Sequence, residues 1–165
     1  LLAPALLSET MSLTDTFKTT PTSTLKHLIQ ICKDGQEGFA KAADAVTNSN
    51  MKTVFARYSL QRAKYVGELE AELLNLGAED PQKEGGSVTG ALHRGWIDLK
   101  AALSSGKPHA ILEEAERGED VAKKAYKEAL EQEDLPANLR EIIARQAVGV
   151  QEGHDETKAL RDATA

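Results

Sequence analysis

Ionisable and amide side chains fall near the middle of each long amphipathic stretch of this chain: Gln36 and Glu37, Gln61 and Arg62, Glu116 and Glu119, then Gln146, Gln151 and His154. A charged group on the core side of a helix must be paired or bound to a metal ion. Carboxylates, amides and an imidazole offer either chemistry. They supply oxygen and nitrogen ligands for a divalent cation, or acceptors for the Arg62 guanidinium. The stretch DGQEGFAKAA from Asp34 also resembles ERGEDVAKKA from Glu116, which sets Asp34 and Glu37 against Glu116 and Glu119 as a faint internal repeat.

The other reactive residue types form no comparable pattern. Cys32 is the single cysteine, so the chain has no intrachain disulfide and no thiolate cluster, and its apolar setting reads as a buried residue. His93 and Arg94 beside Trp96 and Asp98 read as an exposed basic pair flanking a packed ring, with a small ligand pocket as the alternative. His27 and His109 lie near helix ends and read as solvated. No Ser/His/Asp or Cys/His arrangement follows from the spacing, and GGS at Gly85 lacks both the preceding strand and the lysine of a phosphate-binding loop.

The elements that must position these residues are helices. Leu25, Leu28, Ile29, Cys32, Phe39, Ala43 and Val46 recur at three and four. Thr22 or Ser23 can cap this helix, and Asn48, Ser49 and Asn50 stop it and start the next. Val54, Phe55, Tyr58, Arg62, Val66, Leu69, Leu73 and Leu76 form the second stripe, with Gly77 as its terminating glycine. The third long stripe reads Ile111, Ala115, Gly118, Ala122, Ala125 and Ala129, nearly all small, with room for Trp96 against it. Leu139, Ile142, Ile143, Gln146, Val150, Gly153, Thr157 and Leu160 form the last. Glycines inside the helices, Gly35, Gly38, Gly67, Gly118, Gly149 and Gly153, each cost up to about 1 kcal/mol relative to alanine and so call for a packing reason.

Each flanking pair, 25–76 and 108–160, holds two helices of about 25 residues, roughly 37 Å long. A simple reversal between the pairs needs about 2 to 8 residues. The connector 77–107 is far longer and carries a helix with Leu92, Trp96, Leu99 and Leu103 on one side, which is what a bundle-length crossover requires.

The 165 residues are 41% hydrophobic and 28% charged, one domain with enough length for a core. Aromatics are only 4%, which favours an all-α bundle of Leu, Ile, Val and Ala. The net charge of −6 offers no basic field for nucleic acid or anionic lipid. No stretch approaches the ~20 apolar residues that span a bilayer. Residues 1–22 read as a mobile tail with Met11 as a candidate start, and 23–163 as the folded bundle; residues 1–7 are a short apolar run that lacks the basic region and the full apolar length of a secretory signal.

DGQEGF, GALHRGWIDLK, LEEAERGEDVAKKAY and QEGHDETKALRD together resemble a bacterial family of ferritin-like four-helix-bundle proteins catalogued as a domain of unknown function. The resemblance covers about residues 24–162. It implies a ferritin-like fold, two antiparallel helix pairs joined by a long crossover, and it implies no activity. A di-iron centre of the wider class takes a Glu from each of two helices and a Glu-x-x-His from each of the other two. Glu37 and Glu119 stand for the single carboxylates, and Gln151 with His154 for one Glu-x-x-His; Gln61 and Lys64 hold the other spacing with neither ligand. The metal candidates are therefore Glu37, Glu119, Gln151 and His154.

A neutral amide and two nearby cations oppose a pair of iron ions. The expectation is a structural layer in which Arg62 pairs with Glu37 or Glu119, and Gln146, Gln151 and His154 complete the hydrogen bonds. Three functions stay open: a non-catalytic bundle acting through self-association or partner binding, a metal-dependent oxidase or iron-handling protein, and a small-molecule binder. The first is the expectation. It comes with no catalytic residue, no cofactor, a homodimer in the cytoplasm, and neither nucleic acid nor membrane as partner; iron or another divalent metal belongs to the second.

Overall fold

Thr20 caps α1 (Pro21–Ala45): its hydroxyl accepts from Ser23 N–H at 3.1 Å while Ser23 Oγ accepts from Thr20 N–H at 2.9 Å. The computed structural model describes residues 19–78 and 90–164, the side chains of 90–97 excepted. Proline at the first helical position gives up no intrahelical donor there. Residues 21 and 22, expected in the tail, are thus the first turn of a helix; the expected mobility of the tail falls on residues outside those described.

Asn48 both ends the first link and caps α2 (Ser49–Asn75), accepting from Met51 N–H at 3.0 Å. At the far end Gly77 adopts φ +82°, which lets Ala78 N–H reach Leu73 O and Gly77 N–H reach Leu74 O. That is a Schellman termination, and its left-handed residue favours glycine. Helix α3 (Gly90–Ser105) ends likewise at Gly106, φ +66°, and Pro108 starts α4 (Pro108–Leu130). The turn into α5 (Ala137–Ala163) is pinned by Arg140, whose guanidinium donates to Leu130 O at 2.6 Å and Gln132 O at 2.5 Å, satisfying carbonyls left over at the α4 terminus.

Among the described residues the chain is all-helical, with five helices and no strand. Short links make α1/α2 and α4/α5 antiparallel pairs. Thr24, at the start of α1, exchanges hydrogen bonds with Gln132, just past the end of α4, so these helices also run oppositely. Along α2 and α5 the pairs Arg57–Glu156, Glu68–Arg145 and Glu72–Asn138 descend one helix while climbing the other. Helices α2 and α4 therefore point the same way. The chain between them must travel back a full helix length, and α3 covers about 24 Å of it, lying against α4 and α1. Leu99 packs over Gly38, where an added Cβ would meet it at 3.4 Å.

The interior is two apolar cores with a polar belt between them. One holds Leu25, Leu28, Leu69, Leu73, Tyr126 and Ile143; the other holds Phe39, Phe55, Tyr58, Ala102, Ile111 and Leu112. Each large buried apolar side chain contributes about 1.5–3 kcal/mol. The belt holds Arg62 on α2, Glu116 and Glu119 on α4, and His154 and Thr157 on α5.

The α4 stripe differs from its expected course. Gly118 is exposed, and Glu116, Glu119 and Tyr126 are buried beside Ala122, Ala125 and Ala129. The buried face is rotated because two carboxylates are held inside by partners on other helices. The expected seat of Trp96, with the ring itself and the roles read for His93 and Arg94, falls on side chains outside those described. Leu76, expected to close the α2 stripe, is 41% exposed.

Candidate functional site

Arg62 sits on the α2 stripe where an apolar residue is due, and its long side chain spans from α2 to α4. Its Nη1 donates to Glu119 Oε1 at 2.8 Å and its Nη2 to Oε2 at 2.7 Å, a two-pronged pair with the side chains only 1% and 2% exposed. Nε donates to Gln61 Oε1 at 3.3 Å, and the guanidinium carbon lies 5.6 Å from the Phe39 ring centre. Glu119 holds the guanidinium above its ordinary range, against the cost of its burial.

Glycines make room for this pair. A Cβ at Gly153 would lie 2.6 Å from Glu119 Oε2 and 3.2 Å from both Arg62 Nη2 and Tyr58; a Cβ at Gly35 would touch Arg62 at 3.5 Å. At Gly149 it would run into the Tyr65 hydroxyl. The packing reason expected for the internal glycines thus holds at Gly149 and Gly153, whereas the approach at Gly35 is an ordinary van der Waals contact. At Gly67 and Gly118 an added Cβ meets nothing within 4 Å.

A hydrogen-bonded chain lies beside the pair. Tyr126 donates its hydroxyl proton to Gln146 Oε1 at 2.8 Å, so the Cys32 thiol, 3.1 Å from the same oxygen, must be the donor to Tyr126. Burial pushes the Cys32 thiol up from 9.0 to about 11, with the Tyr126 hydrogen bond pulling the other way. A group raised on folding favours the fold below its unfolded pKa and loses that contribution as pH rises to the folded value. Stability is therefore expected to fall between about pH 9 and about 11, at up to about 1.4 kcal/mol per pH unit. Urea midpoints across that window should decline less in Cys32→Ala; equal declines would mean that the thiol ionises freely in the fold.

The second polar group is on the α4/α5 flank. His154 Nε2 lies 3.0 Å from Asp120 Oδ1 and 3.8 Å from Glu116 Oε1, and Nδ1 lies 3.0 Å from Asp155 Oδ1. Arg161 donates to the other Glu116 oxygen, Oε2, and Gln151 Nε2 donates to Asp155 at 2.8 Å. His154 and Glu116 are buried, whereas Asp120 faces solvent. Hydrogen bonds from His154 and then Gln151 hold the Asp155 carboxyl below its ordinary value.

The four metal candidates are consequently dispersed. Glu119 belongs to the Arg62 pair and His154 to the flank. Glu37 is exposed and pairs with Lys41 at 2.9 Å, and Gln151 is exposed on Asp155; neither enters the buried layer in which it was expected. Among the alternatives for Arg62 the structure selects Glu119. The internal repeat does not carry over into packing either: Phe39 is buried while its counterpart Val121 is 46% exposed. Asp120 and Asp155 were missed, although Glu116 and Asp120 are four apart and so share a helix face, a spacing visible in the sequence.

No curated protein matches the chain. The family match runs from the α1 cap to the turn after α4, so it takes in Arg62, Glu116, Glu119 and Asp120 and stops before His154. On that match, over residues 20–132, the chain belongs to the family described as Domain of unknown function (DUF2383).

Proposed function

We propose that the protein is a ferritin-like four-helix bundle that performs no catalysis at its centre and acts through self-association or partner binding. The ferritin-like reading rests on the helix directions: two antiparallel pairs, with parallel α2 and α4 linked by α3. The observation that carries the non-catalytic reading is the Arg62–Glu119 pair. The Arg62 guanidinium neutralises the Glu119 carboxylate at mid-bundle, and a side chain at Gly153 on α5 would collide with that pair.

Association is supported by apolar side chains on outer faces: Leu60 on α2 is 74% exposed and Val148 on α5 is 61% exposed. No helix among the described residues is long and apolar enough to cross a membrane. A dimer through the α2/α5 face should show twice the chain mass by light scattering, and Leu60→Asp with Val148→Asp should reduce it to the monomer. Elemental analysis after growth with added iron should find no iron pair. A monomeric mass at high concentration would remove the self-association reading. About two iron ions per chain, retained until Glu119 is replaced, would overturn the non-catalytic one.

A further inference from the structure

Both ring nitrogens of His154 face carboxylates at 3.0 Å, Asp155 on Nδ1 and Asp120 on Nε2. A neutral imidazole has one N–H, so one of its nitrogens then turns a lone pair towards an anionic oxygen. Only a cation between them relieves that contact, either a second ring proton or a metal ion. Several independent features favour the metal.

The first is convergence. One donor atom each from Glu116, Asp120 and His154 lie within 4.8 Å of one another, contributed by two helices. Ligands at 2.0–2.2 Å from a tetrahedral ion are about 3.3–3.6 Å apart, and the observed separations from Nε2, 3.0 and 3.8 Å, bracket that spacing. The second is the surroundings. Asp155 holds Nδ1, the arrangement that turns Nε2 to a metal and raises its basicity, and Arg161 occupies Glu116 Oε2, leaving Oε1 facing the imidazole.

The third is an orphan. Thr157 lies on the α5 stripe between His154 and Arg161, both of which touch Glu116; it is fully buried and its hydroxyl has no hydrogen-bond partner. A buried hydroxyl without a partner on that same face of α5 is a ready partner for a water on a bound ion. The solvent-facing Asp120 supplies the way in.

The geometry points to a site for one divalent first-row transition cation on the α4/α5 flank, held by His154 Nε2, Asp120 and Glu116 with a position left for water. One imidazole with two carboxylates suits Zn²⁺ or Fe²⁺; the nitrogen ligand disfavours Mg²⁺ and Ca²⁺, and the lack of sulfur disfavours Cu⁺. The site uses no group from the central pair and is independent of the assembly proposal. Its effect is to clasp α4 to α5.

The test is titration of the metal-stripped full chain with Zn²⁺ against a chromophoric chelator, and with Co²⁺ followed by visible absorption. About one ion per chain is expected, undisturbed by excess Mg²⁺. Asp120→Asn, an exposed change that leaves helicity intact by circular dichroism, should abolish saturable binding, as should His154→Gln. Asp155→Asn should keep the stoichiometry and weaken affinity about 10- to 100-fold. His109→Gln, which removes the exposed His109–Glu113 pair as an adventitious ligand, should change nothing. Absence of saturable Zn²⁺ binding, or binding that survives Asp120→Asn or His154→Gln, would overturn the site and leave an imidazolium ion-pair cluster. An iron pair at mid-bundle would survive Asp120→Asn, so failure here is distinguishable from failure of the non-catalytic reading.

Discussion

Arg62→Ala is expected to lower stability by about 3–5 kcal/mol, because it leaves the Glu119 carboxylate buried without its partner. The loss should far exceed that of truncating an exposed pair such as Lys41–Glu37, where solvent screening leaves at most about 1 kcal/mol. Replacing both members tests the physics more sharply. Arg62→Met combined with Glu119→Leu removes two desolvated charges together, and such swaps are commonly neutral or stabilising by about 1–4 kcal/mol. Urea unfolding of the single and double variants decides the matter. If the double variant is as unstable as Arg62→Ala, the layer acts through shape rather than charge compensation.

Gly153→Val should be nearly as damaging. The new Cβ is placed 2.6 Å from Glu119 Oε2, an oxygen that cannot withdraw without releasing Arg62 Nη2. Overpacking contributes about 1–3 kcal/mol, and losing one hydrogen bond to a charged group about 1.5–3 kcal/mol, together about 2.5–6 kcal/mol less a small gain in helix propensity. Gly118→Ala should move the other way. That glycine is exposed with nothing within 4 Å, so alanine should stabilise by up to about 1 kcal/mol. Thermal melts of the two variants should bracket the parent; a destabilised Gly118→Ala would mean that a partner closely approaches that face.

The all-helical character was legible because it rests on periodicity and composition. The α2 stripe from Val54 to Leu73 matches the buried face, and Asn48 and Gly77 do what their residue types suggest. The α4 face was misread for the opposite reason. Hydropathy selects Ala115 and Gly118 over Glu116 and Glu119, and only the three-dimensional partners Arg62, His154 and Arg161 show why carboxylates go inside. Glu37 and Glu119 occupy matching places in similar local sequences, so nothing local tells which of them meets Arg62. His154 stood out as a chemical residue, but its neighbours depend on the register of α4 against α5, which one sequence does not specify.

The parallel course of α2 and α4 has a kinetic consequence. Each antiparallel pair closes through a short link and can form from local contacts, whereas Arg62 and Glu119 lie 57 residues apart and meet only when the two hairpins dock. Their bond therefore belongs to the late side of the folding barrier. Removing it should leave the refolding rate nearly unchanged and appear as faster unfolding. In stopped-flow measurements on Arg62→Ala the unfolding arm should rise; a comparable fall in the folding arm would place docking of the hairpins before the barrier. On this account the guanidinium at the centre of the bundle acts as a latch on the lifetime of the folded state, with little influence on how quickly that state is reached.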